Sequence, residues 1–503
     1  MLAKIDSCSL FGIDAIPVSV EVDVSAGLPA FNIVGLPDAA VREARERVRA
    51  AIRNSGFTFP QERVTVNLAP AAVKKLGAVF DLPIALALLG ATAQIKIARS
   101  LLAVGELGLD GVVPPLAGAV SAALVAKERG VPILLPRANT DEALAVGAEV
   151  FGAGSLQEAA AIVAGDGAPL KSKDLPPPPP PDATDISAVV GQDAAKRALI
   201  VAAAGFHNIL MVGPPGGGKS LLASVLPGIL PPLEEQEALE ASRIHSAAGL
   251  LKGGLLHWRP FRSPHHTVSG VGLVGGGITP RPGEISLAHR GVLFLDELPL
   301  FERAALEALR QPLEEGRITV TRAGYTTTLP ARFMLVAAMN PCPCGHLGDA
   351  SRPCRCTPRQ IRAYLSRLSG PVLDRIDLQI EVGRVKVRPL TKAGKQNDDV
   401  RARIGRAWRL QRKRYADTPF KFNADVAGES LRELTAATDG ALSLLDAAME
   451  TLNLTARGYV RMLRVARTIA DLEESERVEE HHIAEALAYR VLDAPDSPYQ
   501  GLF

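Results

Sequence analysis

The chain has 503 residues, 47% of them hydrophobic, and a formal net charge of +2 at pH 7. That length allows roughly three domains of ordinary size with sizeable cores, and the near-neutral balance excludes a chain whose partner is chosen by bulk charge. Only 4% of residues are aromatic, which argues against base stacking as the main mode of binding.

The first residues, Met1-Leu-Ala-Lys-Ile-Asp-Ser-Cys-Ser-Leu10, show no basic stretch followed by an apolar core. The longest apolar run, residues 82–93, is too short and glycine-broken to span a bilayer. The expectation is a cytoplasmic protein without a membrane partner. Of five cysteines, Cys8 stands alone and four cluster late, which in a reducing compartment suggests metal more than disulfides.

In chain order, Pro17-Val-Ser-Val-Glu-Val-Asp-Val24 alternates apolar and polar residues, the period of a half-buried strand. Residues 39–54 read as a charged helix rich in Arg and Glu, and Arg63-Val-Thr-Val-Asn-Leu68 as a second strand. Residues 80–89 read as a buried helix starting at Asp81. Segments 117–128, 131–135, 141–146 and 156–163 read as alternating helices and strands, so residues 1–168 form a mixed α and β unit. Residues 169–185 carry six consecutive prolines, which favour a stiff, extended, solvated linker.

A second unit, 186–384, opens on an apolar run, Asn208-Ile-Leu-Met-Val212, followed by Gly213-Pro-Pro-Gly-Gly-Gly-Lys-Ser220. This is a full P-loop pattern between a strand and a helix that begins near Leu221. Glycines let backbone N–H groups turn around phosphate oxygens, and the helix N-terminus adds a positive dipole end. Gly213, Pro214, Pro215, Gly216, Gly217, Gly218, Lys219, Ser220 and Leu221 are therefore the candidate nucleotide cradle. Lys219 reaches the β- and γ-phosphates, and the Ser220 hydroxyl is a magnesium ligand.

Further on, His265-His266 precede a glycine-rich stretch, 270–283, read as a mobile loop. No His-Glu-x-x-His pattern accompanies the histidines, so phosphate contact and simple packing both stay open for them. Val292-Leu-Phe-Leu-Asp-Glu297 delivers two carboxylates at a strand end: Asp296 to hold magnesium, Glu297 to polarise the attacking water. Residues 316–329 place β-branched runs on either side of Ala323-Gly324, the signature of a hairpin. Phe333-Met-Leu-Val-Ala-Ala-Met-Asn340 is a third buried strand ending in Asn340, an amide that can orient the lytic water and sense the γ-phosphate.

Cys342-Pro-Cys344 and Cys354-Arg-Cys356 offer four thiolates, enough for a tetrahedral zinc (Zn2+) shell, with His346 as a spare ligand. The spacing within each pair is one residue rather than the commoner two to four, and a reduced loop without metal is the competing reading. Two basic runs fit a polyanion: residues 352–375, with six arginines and one acid, and residues 401–414, with seven basic residues and no acid. A solvated face is the alternative for the second run. The third unit, 385–503, is helical, with helical spacing over 401–415, 442–451, 459–472 and 481–489.

Several long stretches in order resemble one family over essentially the whole chain. They are Phe261-Arg-Ser-Pro-His-His-Thr-Val-Ser269, Arg322-Ala-Gly-Tyr325, Ala337-Ala-Met-Asn-Pro-Cys-Pro-Cys-Gly345, Leu365-Ser-Arg-Leu-Ser-Gly-Pro-Val-Leu-Asp-Arg-Ile-Asp377 and Val465-Ala-Arg-Thr-Ile-Ala-Asp471. The chain resembles the ComM (YifB) group of bacterial magnesium-chelatase-like AAA+ ATPases. The resemblance implies an α/β P-loop core with a parallel sheet and flanking helices, a helical lid, and a preceding α+β domain similar to the Lon-protease fold. It implies ATP and Mg2+ as cofactors and a hexameric ring that acts as a helicase on single-stranded and branched DNA. Branch migration in the recombination of transforming DNA follows, with recombination proteins as partners.

Residue by residue, the resemblance makes Arg375 the arginine finger that enters a neighbouring subunit's ATP site. Arg457 becomes the lid sensor of the γ-phosphate, with Arg461 the competing candidate one turn on. It points the hairpin into the ring pore, so that Arg317 and Arg322 meet nucleic-acid phosphates. The alternative is a hairpin packed on its own domain. In the Lon-like unit Ala78 and Val79 stand where active relatives carry a nucleophilic Ser, so proteolysis is not expected. Lys74 and Lys75 are the DNA candidates there. Two other classes stay open: a metal-insertion motor subunit, and a scaffold or chaperone that uses ATP only to assemble.

Overall fold

Period-two alternation at the start of the chain builds a long antiparallel hairpin. β1 (Leu2–Phe11) pairs with β2 (Asp14–Ser25) from Leu2↔Asp23 to Phe11↔Asp14. Val18, Val20 and Val22 share one face and are buried. The structure is a computed structural model that describes residues 1–171, 178–277, 281–322, 325–349, 352–368, 370–384, 396–428, 430–451 and 455–492. Part of the proline-rich linker thus lies outside the described residues.

The hairpin is the centre of a mixed sheet completed by β3 (Ala30–Val34), β4 (Arg63–Ala69), β5 (Leu102–Ala103), β6 (Ile133–Pro136) and β7 (Val150–Ala153), in the order β3-β4-β2-β1-β5-β6-β7. Helix Ala39–Asn54 buries Val41, Ala44, Val48, Ala51 and Ile52, one stripe of its surface. Helix Asp81–Ala91 has no polar face and is buried throughout. Its first carboxylate, Asp81, is held by the Arg47 guanidinium at 2.6 and 3.0 Å, as a buried charge requires. β1 and β7 escape the sequence reading: polar Asp6, Ser7 and Ser9 interrupt the first, and Gly152 the second.

The second sheet is parallel throughout. It comprises β8 (Ile209–Val212), β9 (Phe261–Arg262), β12 (Val292–Leu295), β15 (Met334–Met339) and β16 (Leu378–Glu381), in the order β16-β8-β15-β12-β9. Helices cover it, so its inner strands are continuous apolar runs. The glycine-rich stretch is not one loop. Ser269 caps a short helix, Gly270–Val274, whose Leu273 is buried against the core, and β10 (Gly275–Gly276) pairs with β11 (Arg281–Pro282). Residues 278–280 lie outside the described residues. β13 (Arg317–Arg322) and β14 (Tyr325–Pro330) form the expected hairpin.

The carboxy-terminal region is helical: Asn397–Arg414, Asp439–Thr451, Ala456–Leu472 and Glu480–Ala488. It joins the parallel sheet through one core, in which Trp408 is buried and donates its Nε1–H to the Ala203 carbonyl at 3.2 Å. The amino-terminal sheet meets the second unit at helix Glu235–Ala247. There Gly118 N–H donates to the Ser246 carbonyl at 2.8 Å and Arg243 pairs with Asp14 at 2.7 Å. Among the described residues no helix is long and apolar enough to cross a membrane.

Candidate functional site

Three neighbouring strands of the parallel sheet run in one direction and end side by side, so their carboxy ends bring three motifs together. β8 delivers the P-loop, β12 delivers Asp296 and Glu297, and β15 delivers Asn340. Lys219 is buried, and its Nζ donates to the Gly213 carbonyl at 2.6 Å, the Pro214 carbonyl at 3.0 Å and Asn340 Oδ1 at 3.1 Å. Burial pulls its pKa down, while Asp296 and Glu297 pull it back up. Ser220 Oγ donates to Asp296 Oδ2 at 2.6 Å. A hydroxyl and a carboxylate are hard oxygen donors, the set that suits magnesium. Glu297 has a left-handed backbone, φ +52°, which is strained for a non-glycine residue.

The P-loop glycines answer to space and to torsion. A Cβ on Gly213 would lie 2.1 Å from the Val382 carbonyl oxygen at the end of β16, and Gly218 has φ +90°. Gly213→Ala is therefore expected to destabilise the fold by about 1–3 kcal/mol, the usual range for forced overpacking. A thermal melt beside a nucleotide-binding titration checks it. Of two nearby residues, Gln192 carries no signal in the sequence and His266 stays open there between phosphate contact and packing. Gln192 Nε2 donates to the carbonyls of Gly383 at 2.5 Å and Gly217 at 3.3 Å. His266 Nδ1 stands 3.6 Å from Glu297 Oε2, which puts this histidine at the site.

The arginines assemble elsewhere. A cavity of about 730 Å³ is lined by Asn208, Arg290, Phe333 and Asp377, which lie one or two residues before β8, β12, β15 and β16. It lies at the amino ends of the strands and also takes in Arg375, Arg457, Arg461 and Arg464, but no P-loop residue. Arg375 pairs with Glu314 and donates to the Pro371 carbonyl. Arg457 is 69% exposed and 3.5 Å from Asp374, whereas Arg461 is 5% exposed and donates to the carbonyls of Arg457 and Ile376. A four-residue strand spans about 13 Å, so groups at the two ends of the sheet do not meet at one γ-phosphate. Arg457, expected at a γ-phosphate, thus stands with the finger candidate and away from the P-loop of its own chain.

Residues 185–390 match the family described as magnesium chelatase, subunit ChlI. Residues 20–139 match subunit ChlI of Mg-chelatase, and residues 394–490 match magnesium chelatase, subunit ChlI C-terminal. The chain is 43% identical over 500 residues to the uncharacterized protein YifB of Escherichia coli, covering 98% of this chain and 97% of that one. It is 41% identical over 506 residues to the competence protein ComM of Haemophilus influenzae, covering 98% of each. The chain belongs to the ComM/YifB family of magnesium-chelatase-like proteins. A shorter likeness, 26% over 220 residues, links 42% of the chain to 25% of the DNA replication licensing factor Mcm6 of Drosophila pseudoobscura. Membership of the ComM/YifB family implies an AAA+ ATPase that uses ATP and Mg2+.

In this ComM/YifB chain the four late cysteines converge. Cys342 and Cys344 Sγ are 3.4 Å apart, and each is 3.6 Å from Cys354 Sγ. With Cys356 all four sulfurs lie within 4.8 Å of one another. Thiolates at about 2.3 Å from a tetrahedral zinc are about 3.8 Å apart, so the donor set fits zinc in number, softness and spacing. Residues 350–351 of this loop lie outside the described residues.

The DNA candidates fare unevenly. Lys74 is exposed, but Lys75 is buried, with its ammonium donating to the Pro70 carbonyl, so it is not on the surface as expected. Its position on the bridge Pro37↔Lys75 turns the side chain inward. Arg317 is exposed and pairs with Glu315 at 2.9 Å. The Arg322 side chain and residues 323–324 lie outside the described residues. The run at 401–414 is partly neutralised: Arg401, Arg406, Arg412 and Arg414 pair with Asp398, Glu474, Glu234 and Asp471, while Arg403, Arg409 and Lys413 are exposed. Arg352, Arg355, Arg359 and Arg362 of the earlier run are exposed.

Proposed function

We propose that this chain is the subunit of an ATP-driven hexameric ring motor that moves on single-stranded and branched DNA. Its work is branch migration in the recombination of transforming DNA, alongside recombination proteins in the cytoplasm. The observation that carries the reading is the division of the hydrolytic groups between opposite ends of one sheet. Lys219, Ser220, Asp296, Glu297 and Asn340 sit at the carboxy ends, and Arg375 and Arg457 at the amino ends. A head-to-tail ring joins the two halves, and repetition of that contact closes it. The names of two relatives, a competence protein and a replication licensing factor, support DNA as the substrate.

In this reading Lys219 grips the β- and γ-phosphates and the P-loop N–H groups of residues 213–221 cradle the rest. Ser220 and Asp296 hold magnesium, whose charge offsets that of the phosphates. Glu297 draws the proton of the attacking water, Asn340 aligns that water, and the neighbour's Arg375 and Arg457 neutralise charge growing on the γ-phosphate. The hairpin of β13 and β14 carries Arg317 and Arg322 toward DNA, with Lys74 a further contact. Cys342, Cys344, Cys354 and Cys356 hold zinc. The corresponding division of the chain is a non-proteolytic Lon-protease-like domain (1–168), a linker (169–185), the ATPase domain (186–384) and a helical lid (385–503).

The test is the ATPase rate with and without single-stranded and branched DNA, with Lys219→Ala as the silent control. Stimulation by DNA is the expected result. An unchanged rate and no DNA bound in the presence of ATP contradict the DNA motor and favour the metal-insertion motor that the family description names. Arg317→Ala is expected to weaken DNA binding and to reduce the slope of log K against log salt by about 1, the effect of one lost phosphate contact. Fluorescence anisotropy across a salt series checks it.

A further inference from the structure

We propose that the zinc-bound cysteine loop is the brace that sets Asn340 against the P-loop, so that metal occupancy governs the rate of ATP hydrolysis. This rests on the zinc reading above and deepens it.

The loop begins at the catalytic strand itself. β15 ends at Met339, Asn340 follows, and Cys342 comes two residues later, fully buried. Gly345 then packs on the P-loop: a Cβ there would lie 2.4 Å from Pro215 Cδ, and its φ is +79°. Its N–H donates to the Cys342 carbonyl at 2.9 Å, which closes the turn. The second cysteine pair leads directly into helix Pro358–Leu365, which starts with a capping box of Thr357 and Gln360. Tyr364 of that helix returns to the backbone of Asn340. The loop thus leaves the sensor, touches the P-loop and comes back to the sensor.

Its cysteines and Leu347 pack against the core, but regular structure does not fix its path. Among the described residues no helix or strand lies between Met339 and Pro358. Its polar ties include His346 Nδ1 to Asp349 Oδ2 at 3.2 Å and Arg384 Nε to the same oxygen at 3.7 Å. A four-thiolate zinc joins the start of the loop to its end and removes the conformational freedom of the residues between. The effect on Asn340 is positional. Lys219 Nζ and Asn340 Oδ1 are 3.1 Å apart, and a misplacement of about 1 Å near reacting groups can cost about 10²-fold in rate. Asn340 remains the catalytic residue, and the cysteines are positioning residues.

The experiment uses the full chain without DNA, so that it reads hydrolysis and not movement on DNA. Zinc is measured per chain, removed with a chelator under reducing conditions and restored by titration. Nucleotide affinity, melting temperature and kcat are followed throughout, and a Cys354→Ser/Cys356→Ser variant is compared. About one zinc per chain is expected for a four-thiolate site. The rate should fall about 10- to 100-fold in proportion to zinc lost, recover with zinc restored, and change mainly in kcat rather than in nucleotide affinity. In an Asn340→Ala background, removing zinc should cause no further loss. A reduced chain that takes up no zinc overturns the metal site and the brace together. Zinc that binds but leaves kcat unchanged on removal, or lowers it equally without Asn340, overturns the brace and leaves the metal site standing. DNA stimulation, measured separately, decides the motor reading independently of either result.

Discussion

Arg375→Ala is expected to lower kcat for ATP hydrolysis by about 10³- to 10⁵-fold, the range over which an arginine finger acts on a γ-phosphate. Nucleotide binding should survive, because every residue of the cradle lies at the other end of the sheet. Within its own chain Arg375 is mostly buried, paired with Glu314, and beside Arg457 and Arg461 in the cavity. Its loss therefore removes nothing that touches Lys219 of the same chain. Arg375→Lys should recover little, since an ammonium lacks the planar fork that meets two phosphate oxygens at once. Single-turnover hydrolysis beside equilibrium binding of a fluorescent nucleotide separates the two effects. A variant that hydrolyses ATP at the wild-type rate would leave Arg375 as a structural ion pair only.

Glu297→Gln should lower kcat by about 10²- to 10⁴-fold, the usual contribution of a positioned general base. The amide keeps the shape of the side chain and loses the acceptor charge that draws a proton from water. Glu297 is half-exposed at 48% and is not the residue bonded to Ser220, which is Asp296. Stability should therefore change by no more than about 0.5 kcal/mol, as for an exposed site away from the core. ATP should bind and remain unhydrolysed, which a binding titration with a phosphate-release assay reads directly. Asp296→Asn, by contrast, should weaken magnesium-dependent nucleotide binding, because Asp296 and Ser220 form the oxygen pair suited to the ion.

The parts of the site that the sequence discloses are those built by contiguous residues. Ile209–Val212, Val292–Leu295 and Met334–Met339 are apolar because both faces are covered, and they lead directly into the P-loop, Asp296 and Asn340. The helix at Ala39–Asn54 and the start at Asp81 follow from the period of their apolar residues and one acidic residue. What stays hidden is set by distant partners. β16 carries Gln379 in mid-strand and is recognisable only from its pairing with β8. The burial of Lys75 depends on a bridge to Pro37. The basic run at 401–414 is partly neutralised by Glu234, Asp471 and Glu474, which come from other helices and turns. The short spacing of the cysteine pairs counted against zinc, yet turns in the loop bring all four sulfurs together. Spacing along a chain bears on local geometry alone.

The division of hydrolytic groups between two chains is tested most directly by mixing Arg375→Ala and Glu297→Gln subunits, each inactive alone. At an interface where the first supplies the P-loop side and the second supplies the arginine, every group is intact. The mixture should regain roughly one quarter of the wild-type rate, the share of such interfaces in a head-to-tail ring of two randomly placed chain types. Chains that co-assemble with nucleotide yet hydrolyse no faster than the sum of the separate variants would contradict the account.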